Sequence, residues 1–272
     1  MSLEEKKKLL VIAGSDNYPK LVIEGARDNG VDHIEVIAFK GETNSKNING
    51  ADVVHWMKVG QLQLLLDCIT ETKINELMMV GQISPKNVFS IKLDKKMKTL
   101  IHSLPILNAH TIFSSIVKEI EDIGIDVIPA HSYIDKLMPI SGVLTNRPLT
   151  KNEENDTAIG VDFIKANSNF DVGQTVAIKS GYIVAVEAME GTNETIRRAG
   201  KVAGSGSTIV KVPKEDHNFK FDIPVIGPNT IQEMIKAKAS CISLKEKKAL
   251  IFDFDKTIKI ANNHNIAILV ME

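Results

Sequence analysis

Short apolar runs alternate with segments of helical period along the first half of the chain. Lys8–Ala13, His33–Phe39, Val53–Trp56, Glu76–Val80 and Ile125–Ile128 predict strands; Pro19–Asn29, Gly60–Thr70, Ile91–Ser103 and Thr111–Ile123 predict helices. Strands that take turns with helices predict a parallel sheet with helices on its faces, because a parallel connection needs a crossover long enough to hold one. Between Met138 and Thr150 the pattern breaks at Pro139, Gly142 and Pro148, which predicts a boundary there and domains over 1–137 and 138–272.

The second half is mixed rather than strictly alternating. Val176–Lys179 and Tyr182–Val186 predict a hairpin about Ser180-Gly181, and Ile209–Val212, Cys241–Leu244, Ala249–Phe252 and Ala267–Val270 predict further strands. Helices are predicted over Asp156–Ala166, Asn193–Val202 with Thr192 as its cap, Thr230–Lys238 and Asp255–His264. The expected fold class is α/β in two domains, a parallel sheet with flanking helices followed by a mixed α/β domain.

Composition narrows the class without naming a function. A 272-residue chain that is 43% hydrophobic and 25% charged is that of a folded globular protein, long enough for two cores. A formal net charge of -1 provides no field that draws the chain to nucleic acid. The apolar stretch after Lys6–Lys8 stops at Ala13, too short for a signal-peptide core or a bilayer span. Cys68 and Cys241 lie far apart among apolar neighbours, away from His or Cys at metal spacing, and are expected to be reduced thiols in a cytoplasmic protein.

The stretch Gly173–Thr230 carries the candidate chemistry. Cleaving a phosphate ester or anhydride needs cations against the phosphoryl oxygens, a carboxylate to hold a metal or orient water, and backbone N–H groups facing an anion. Lys211, Lys214, Arg197 and Arg198 supply the cations, and Glu187, Glu190 and Asp222 the carboxylates. Gly191-Thr192 opens a helix whose N-terminus suits an anion. Each of these residues alone is more often a solvated strand end or an ordinary cap. The group stands out because Glu187 and Glu190 close an apolar strand and Asp222 sits between Phe221 and Ile223-Pro224.

Three other signals are set aside. Ala13–Pro19 has the position of a dinucleotide-binding turn but one glycine, Gly14, where that fingerprint needs three. Phe252–Thr257 resembles the Asp-x-Asp-x-Thr motif of haloacid-dehalogenase-type phosphatases, placed too late in the chain for that fold. The histidines, including His102, His110, His131, His217 and His264, are scattered without ligand spacing.

Val186–Arg198, Val210–Lys214 and Phe221–Pro228, with Leu9–Gly14, Val80-Gly81-Gln82 and Leu137–Pro148, resemble the metal-dependent UDP-2,3-diacylglucosamine pyrophosphatase family of lipid A biosynthesis. The resemblance implies a Rossmann-like N-terminal domain, a distinct C-terminal domain and a ligand site between them. It implies magnesium-dependent hydrolysis, with manganese as the alternative ion, giving UMP and 2,3-diacylglucosamine 1-phosphate, the intermediate called lipid X. Asp222 matches the family's essential aspartate. Catalysis is accordingly expected of Asp222, Glu187 and Glu190, metal binding of Asp222 and Glu190, and substrate binding of Lys211, Lys214, Gly191, Thr192, Arg197, Gly14, Gly81 and Gln82. His217, Asn218 and Lys220 stand where the family usually has Gln, an acidic residue and Arg.

The expected partners are an acylated UDP-glucosamine, the inner membrane leaflet in passing and a second copy in a homodimer, with no nucleic acid. Met78, Met79, Val88, Phe89, Ile112 and Phe113 are candidates for an acyl slot and, more simply, for core. The rival readings are a lipid- or nucleotide-binding homologue without activity and an NAD-dependent oxidoreductase.

Overall fold

The structure, a computed structural model, describes residues 6–83, 92–170, 172–215 and 217–272. Val88, Phe89 and the predicted helix start at Ile91 lie outside the described residues. The chain forms two compact units, Met1–Ile134 with Asn218–Asp222 and Asp135–His217 with Ile223–Glu272.

The first unit is built on five parallel strands, β1 (Lys8–Ala13), β2 (His33–Phe39), β3 (Val53–Met57), β4 (Glu76–Val80) and β5 (Asp126–Val127), in the order β3-β2-β1-β4-β5. The central strand β1 is apolar on both sides, as a covered parallel strand must be, and Leu9, Leu10 and Val11 have no exposed surface. Leu10, Ile12, Ile37, Phe39, Leu77 and Met79 share a core with helices α2 (Leu62–Thr72), α3 (Lys95–Ser103) and α4 (Ala109–Asp122). Helix α1 (Tyr18–Asp28) packs on β1 and β4 and buries Val22, Ile23 and Ala26. Met78 and Met79 are buried in the sheet, and Ile112 and Phe113 pack against the core that holds Met79.

The second unit carries a six-stranded mixed sheet of β6 (Gly142–Val143), β7 (Thr175–Lys179), β8 (Tyr182–Val186), β9 (Thr208–Lys211), β11 (Cys241–Lys245) and β13 (Ala267–Met271). Its order is β6-β13-β11-β9-β7-β8, with β13, β11 and β9 parallel and the flanking strands antiparallel. A parallel pair, β10 (Val225–Ile226) and β12 (Leu250–Ile251), lies apart from it. Helix α5 (Lys151–Ala166) covers one face with Ile164 against Val176, Ile178 and Val210. Helices α6 (Thr192–Ala203), α7 (Pro228–Ala237) and α8 (Phe254–Asn263) share the larger core, which includes Ile196, Ile231, Met234 and Ala261.

Elements differ from the sequence reading mostly at their ends. Helix α5 opens at Lys151 rather than Asp156, because Thr150 and Glu153 cap it reciprocally: the Glu153 N–H donates to Thr150 Oγ1 at 3.3 Å, and the Thr150 N–H to Glu153 Oε2 at 2.8 Å. Gly191, with φ of 82°, stands at the N-cap of α6, and Thr192 is its first helical residue instead of its cap. Asp253 and Asp255, the two carboxylates of the phosphatase-like motif, cap and open α8. Among the described residues, no helix is long and apolar enough to cross a membrane.

Candidate functional site

In the second unit, the turn from β8 into α6 brings Glu187, Thr192 and Lys211 together. Lys211 ends β9 and is 7% exposed; its Nζ donates to Thr192 Oγ1 at 2.7 Å and to Thr175 Oγ1 at 3.4 Å. Thr192 in turn donates from Oγ1 to Glu187 Oε1 at 3.0 Å. The hydroxyl therefore joins a buried ammonium to a buried carboxylate at the first turn of a helix. Glu187 is 9% exposed, and its second oxygen, Oε2, is buried without a hydrogen-bond partner in the protein. Such an atom is costly unless a ligand group, cation or water meets it.

Gly173 makes room for this carboxylate. Its N–H donates to the Glu187 carbonyl at 2.7 Å, and a Cβ there would stand 2.2 Å from Glu187 Cγ. A glycine directly before an apolar strand is the sequence sign of such a close approach. Thr175 and Gly173 were not among the expected site residues, although both lie at the edge of the stretch that holds them.

The remaining charged residues of the turn are paired within the unit. Glu190 is ion-paired with Arg198, accepts from the Ala188 N–H at 3.1 Å, and accepts from Thr195 Oγ1 at 3.3 Å. Burial pushes its pKa up, but hydrogen bonds from the backbone and Arg198 outweigh that and leave it below the usual carboxylate value. Arg197 is held by Glu233 of α7 at 2.6 Å and is also paired with Glu194. The hydrogen bonds of Arg197 run to Glu233 and Glu194 rather than to the Lys211 constellation. Lys214 follows Pro213 beyond β9 and is half-buried.

In the first unit, Gly14 and Gly81 join the loops that leave the carboxyl ends of β1 and β4. The Gly14 N–H donates to the Val80 carbonyl at 2.8 Å and the Ser15 N–H to the Gln82 carbonyl at 2.7 Å. A Cβ on Gly14 would lie 2.5 Å from the Gln82 oxygen, and one on Gly81, at φ 85°, 2.5 Å from the Ser15 oxygen. The order β3-β2-β1-β4-β5 reverses direction between β1 and β4, and open parallel sheets bind ligands outside such a switch point.

Asp222 also belongs to the first unit, at the end of the segment Asn218–Asp222. Asn218 turns this segment, accepting from the Lys220 N–H through Oδ1 at 3.0 Å and from the Asp222 N–H through its carbonyl at 3.3 Å. The Phe221 ring stacks on Phe113 at 5.7 Å and meets His110 at 5.7 Å; Phe219 meets His131 edge-on at 6.2 Å. Lys220 is ion-paired with Glu121, and the Ala130 N–H donates to the Phe219 carbonyl at 2.8 Å. Half-buried, the Asp222 carboxylate lies near Tyr18, whose hydroxyl donates to the Ala130 carbonyl at 2.9 Å. Burial first, and the Asp222 charge second, push the Tyr18 phenol well above its ordinary pKa. Tyr18, His110 and His131 thus support the segment, a role that needs the tertiary fold to be seen.

Among the described residues, no group of three or more His, Cys, Asp or Glu is arranged to hold a metal. Magnesium makes small demands on protein ligands: one or two carboxylates, with waters and substrate phosphates completing its shell. Asp222 offers one carboxylate of that kind.

Comparison with known proteins resolves the family. Residues 8–137 match the LpxI N-terminal domain and residues 140–269 the LpxI C-terminal domain. A UDP-2,3-diacylglucosamine pyrophosphatase, LpxI, of Caulobacter vibrioides is 21% identical over 231 residues, 81% of this chain and 81% of that protein. Two solved biotin carboxylase domains of thermophilic 2-oxoglutarate carboxylases, one from Hydrogenobacter thermophilus, are 12% identical over 73% and 74% of this chain, with TM-scores of 0.30. This chain spans 33% and 43% of those two, and so slight a likeness carries no argument about the fold. With its two halves matched in order to the two domains of one family, the chain belongs to the LpxI family.

Proposed function

We propose that this protein hydrolyses the pyrophosphate bond of UDP-2,3-diacylglucosamine, releasing UMP and 2,3-diacylglucosamine 1-phosphate (lipid X), a step of lipid A biosynthesis on the cytoplasmic side of the inner membrane. The observation that carries this reading is the match of both halves of the chain to the two LpxI domains, together with a relative named for that activity.

In this reading water attacks one phosphorus of the diphosphate, the P–O bond to the bridging oxygen breaks, and that oxygen leaves on the other phosphate. Asp222 orients the attacking water and accepts its proton; the turn at Asn218 and the aromatic contacts of Phe219 and Phe221 hold that carboxylate. Asp222 is the residue that would hold a magnesium ion, which would supply charge neutralisation on the diphosphate. Within the second unit, Glu187 holds the Thr192 hydroxyl and so fixes the Lys211 ammonium beside the first turn of α6, a set of donors suited to phosphate oxygens. Gly14 and Gly81 let the loops after β1 and β4 lie close enough to receive the nucleotide. Glu190, already paired with Arg198, shapes the turn.

The test is UMP release from UDP-2,3-diacylglucosamine presented in detergent, with magnesium, with manganese and with EDTA. UMP with either ion and a large loss in EDTA support the reading. Ligand binding without UMP favours the non-catalytic homologue, for which Lys220, spent on Glu121, is the motivating observation. Hydrolysis in oxygen-18 water then assigns the attacked phosphorus by which product carries the label.

A further inference from the structure

Helix α3 divides its residues sharply between core and solvent. Met97 and Leu100 face inward and are 9% and 7% exposed. Lys95, Lys98 and His102, spaced i, i+3 and i+7, share one exposed stripe, and exposed Lys92 precedes it. Lys96 lies off the stripe and is paired with Glu119 at 2.7 Å. Asp94, the acid nearest in sequence, is spent on the Met97 and Gln63 N–H groups at 2.7 and 2.8 Å. The stripe's positive charge therefore has no carboxylate of its own helix to answer it.

The turn after this helix presents Ile106 and Leu107, 61% and 64% exposed, before Asn108 caps α4. A lone exposed aliphatic residue is ordinary on a protein surface. Two adjacent ones at the tip of a turn, at the end of a lysine stripe, form the pattern of an interfacial anchor: apolar side chains for the acyl boundary and cations for the phosphates. A protein partner is the poorer fit, because a stable interface needs roughly 800 Å² a side, whereas a bilayer accepts apolar side chains one or two at a time.

We propose that the Lys92–Leu107 edge of the first unit is a docking surface for an anionic lipid bilayer. Ile106 and Leu107 enter the boundary between headgroups and acyl chains, and Lys92, Lys95 and Lys98 meet lipid phosphates. The purpose assigned to this surface rests on the reading above, in which the substrate is a membrane lipid, but the binding itself does not require activity.

Co-sedimentation of the full chain with phosphatidylcholine vesicles, with and without phosphatidylglycerol, tests it. The wild type is expected to bind the anionic vesicles, less so as salt rises, and the neutral ones weakly. K95E/K98E should lower partition onto anionic vesicles about tenfold or more, and I106S/L107S should lower it about tenfold on both kinds. All four positions are exposed, and unchanged thermal melts of both variants would show that folding is not the cause. A wild type that ignores both vesicles, variants that bind as it does, or an I106S/L107S effect on self-association alone overturns the proposal. UMP release from detergent-held substrate without vesicle binding defeats this surface and leaves the hydrolase reading standing. Vesicle binding without UMP release does the reverse.

Discussion

Asp222 and the Glu187–Thr192–Lys211 constellation illustrate how much one residue's neighbours decide. Asp222→Asn keeps the shape but loses the charge, so UMP release is expected to fall about 10²- to 10⁴-fold with an unchanged melting temperature, measured by steady-state kinetics and calorimetry. Lys211 is a buried cation joined to a buried anion through Thr192. Lys211→Met leaves Glu187 without that compensation and should cost about 3 kcal/mol in urea denaturation, part of it recovered when Glu187→Gln is added. A double-mutant cycle with no coupling would remove the constellation from the account. Glu187, Thr192 and Lys211 were legible in the sequence because strand ends and helix starts are local features. For Arg197 the charge is visible in the sequence, but its partner Glu233 lies on another helix and only folding brings the two together.

Caps and close approaches act at the level of elements. Burial of Glu153 raises its pKa, but Arg147, Ser240 and the Thr150 N–H outweigh that and bring it to about 2 from an ordinary 4.5. Because the folded pKa is the lower one, this contribution is whole above pH 4.5 and is lost as pH falls from 4.5 toward 2. Glu153→Gln should flatten the fall in stability over that window, as followed by urea denaturation at stepped pH. Gly200 marks the crossing of α6 and α7, where a Cβ would lie 2.7 Å from Ala237 Cα. Backbone cannot yield as a flexible side chain does, so Gly200→Ala is expected to destabilise by about 1–3 kcal/mol in the same assay. The strands and helices of the first unit were readable from period alone. The start of α5 was also written in the chain, as the Thr150-to-Glu153 capping box, but its polar first turn hid it from a reading based on apolar spacing.

At the scale of the whole molecule, the chain passes between units after Ile134, after His217 and after Asp222. The segment Asn218–Asp222, remote in sequence, supplies Phe221 to the core of the first unit. Phe221→Ala should therefore cost about 2 kcal/mol, and a fragment ending at residue 137 should melt below the corresponding transition of the full chain, followed by circular dichroism. A fragment as stable as the intact unit would sink this account. The sequence by itself determined the alternation of strands and helices, the α/β class and the family-like motifs, because these follow from local period, turn chemistry and neighbouring residue types. Only the tertiary structure decided that Asp222 lies with Tyr18, that Gly173 admits Glu187, and that Arg197 and Arg198 are already spent. The reason is physical: burial and pairing are contacts between residues far apart in the chain, and no local pattern states which distant group will arrive.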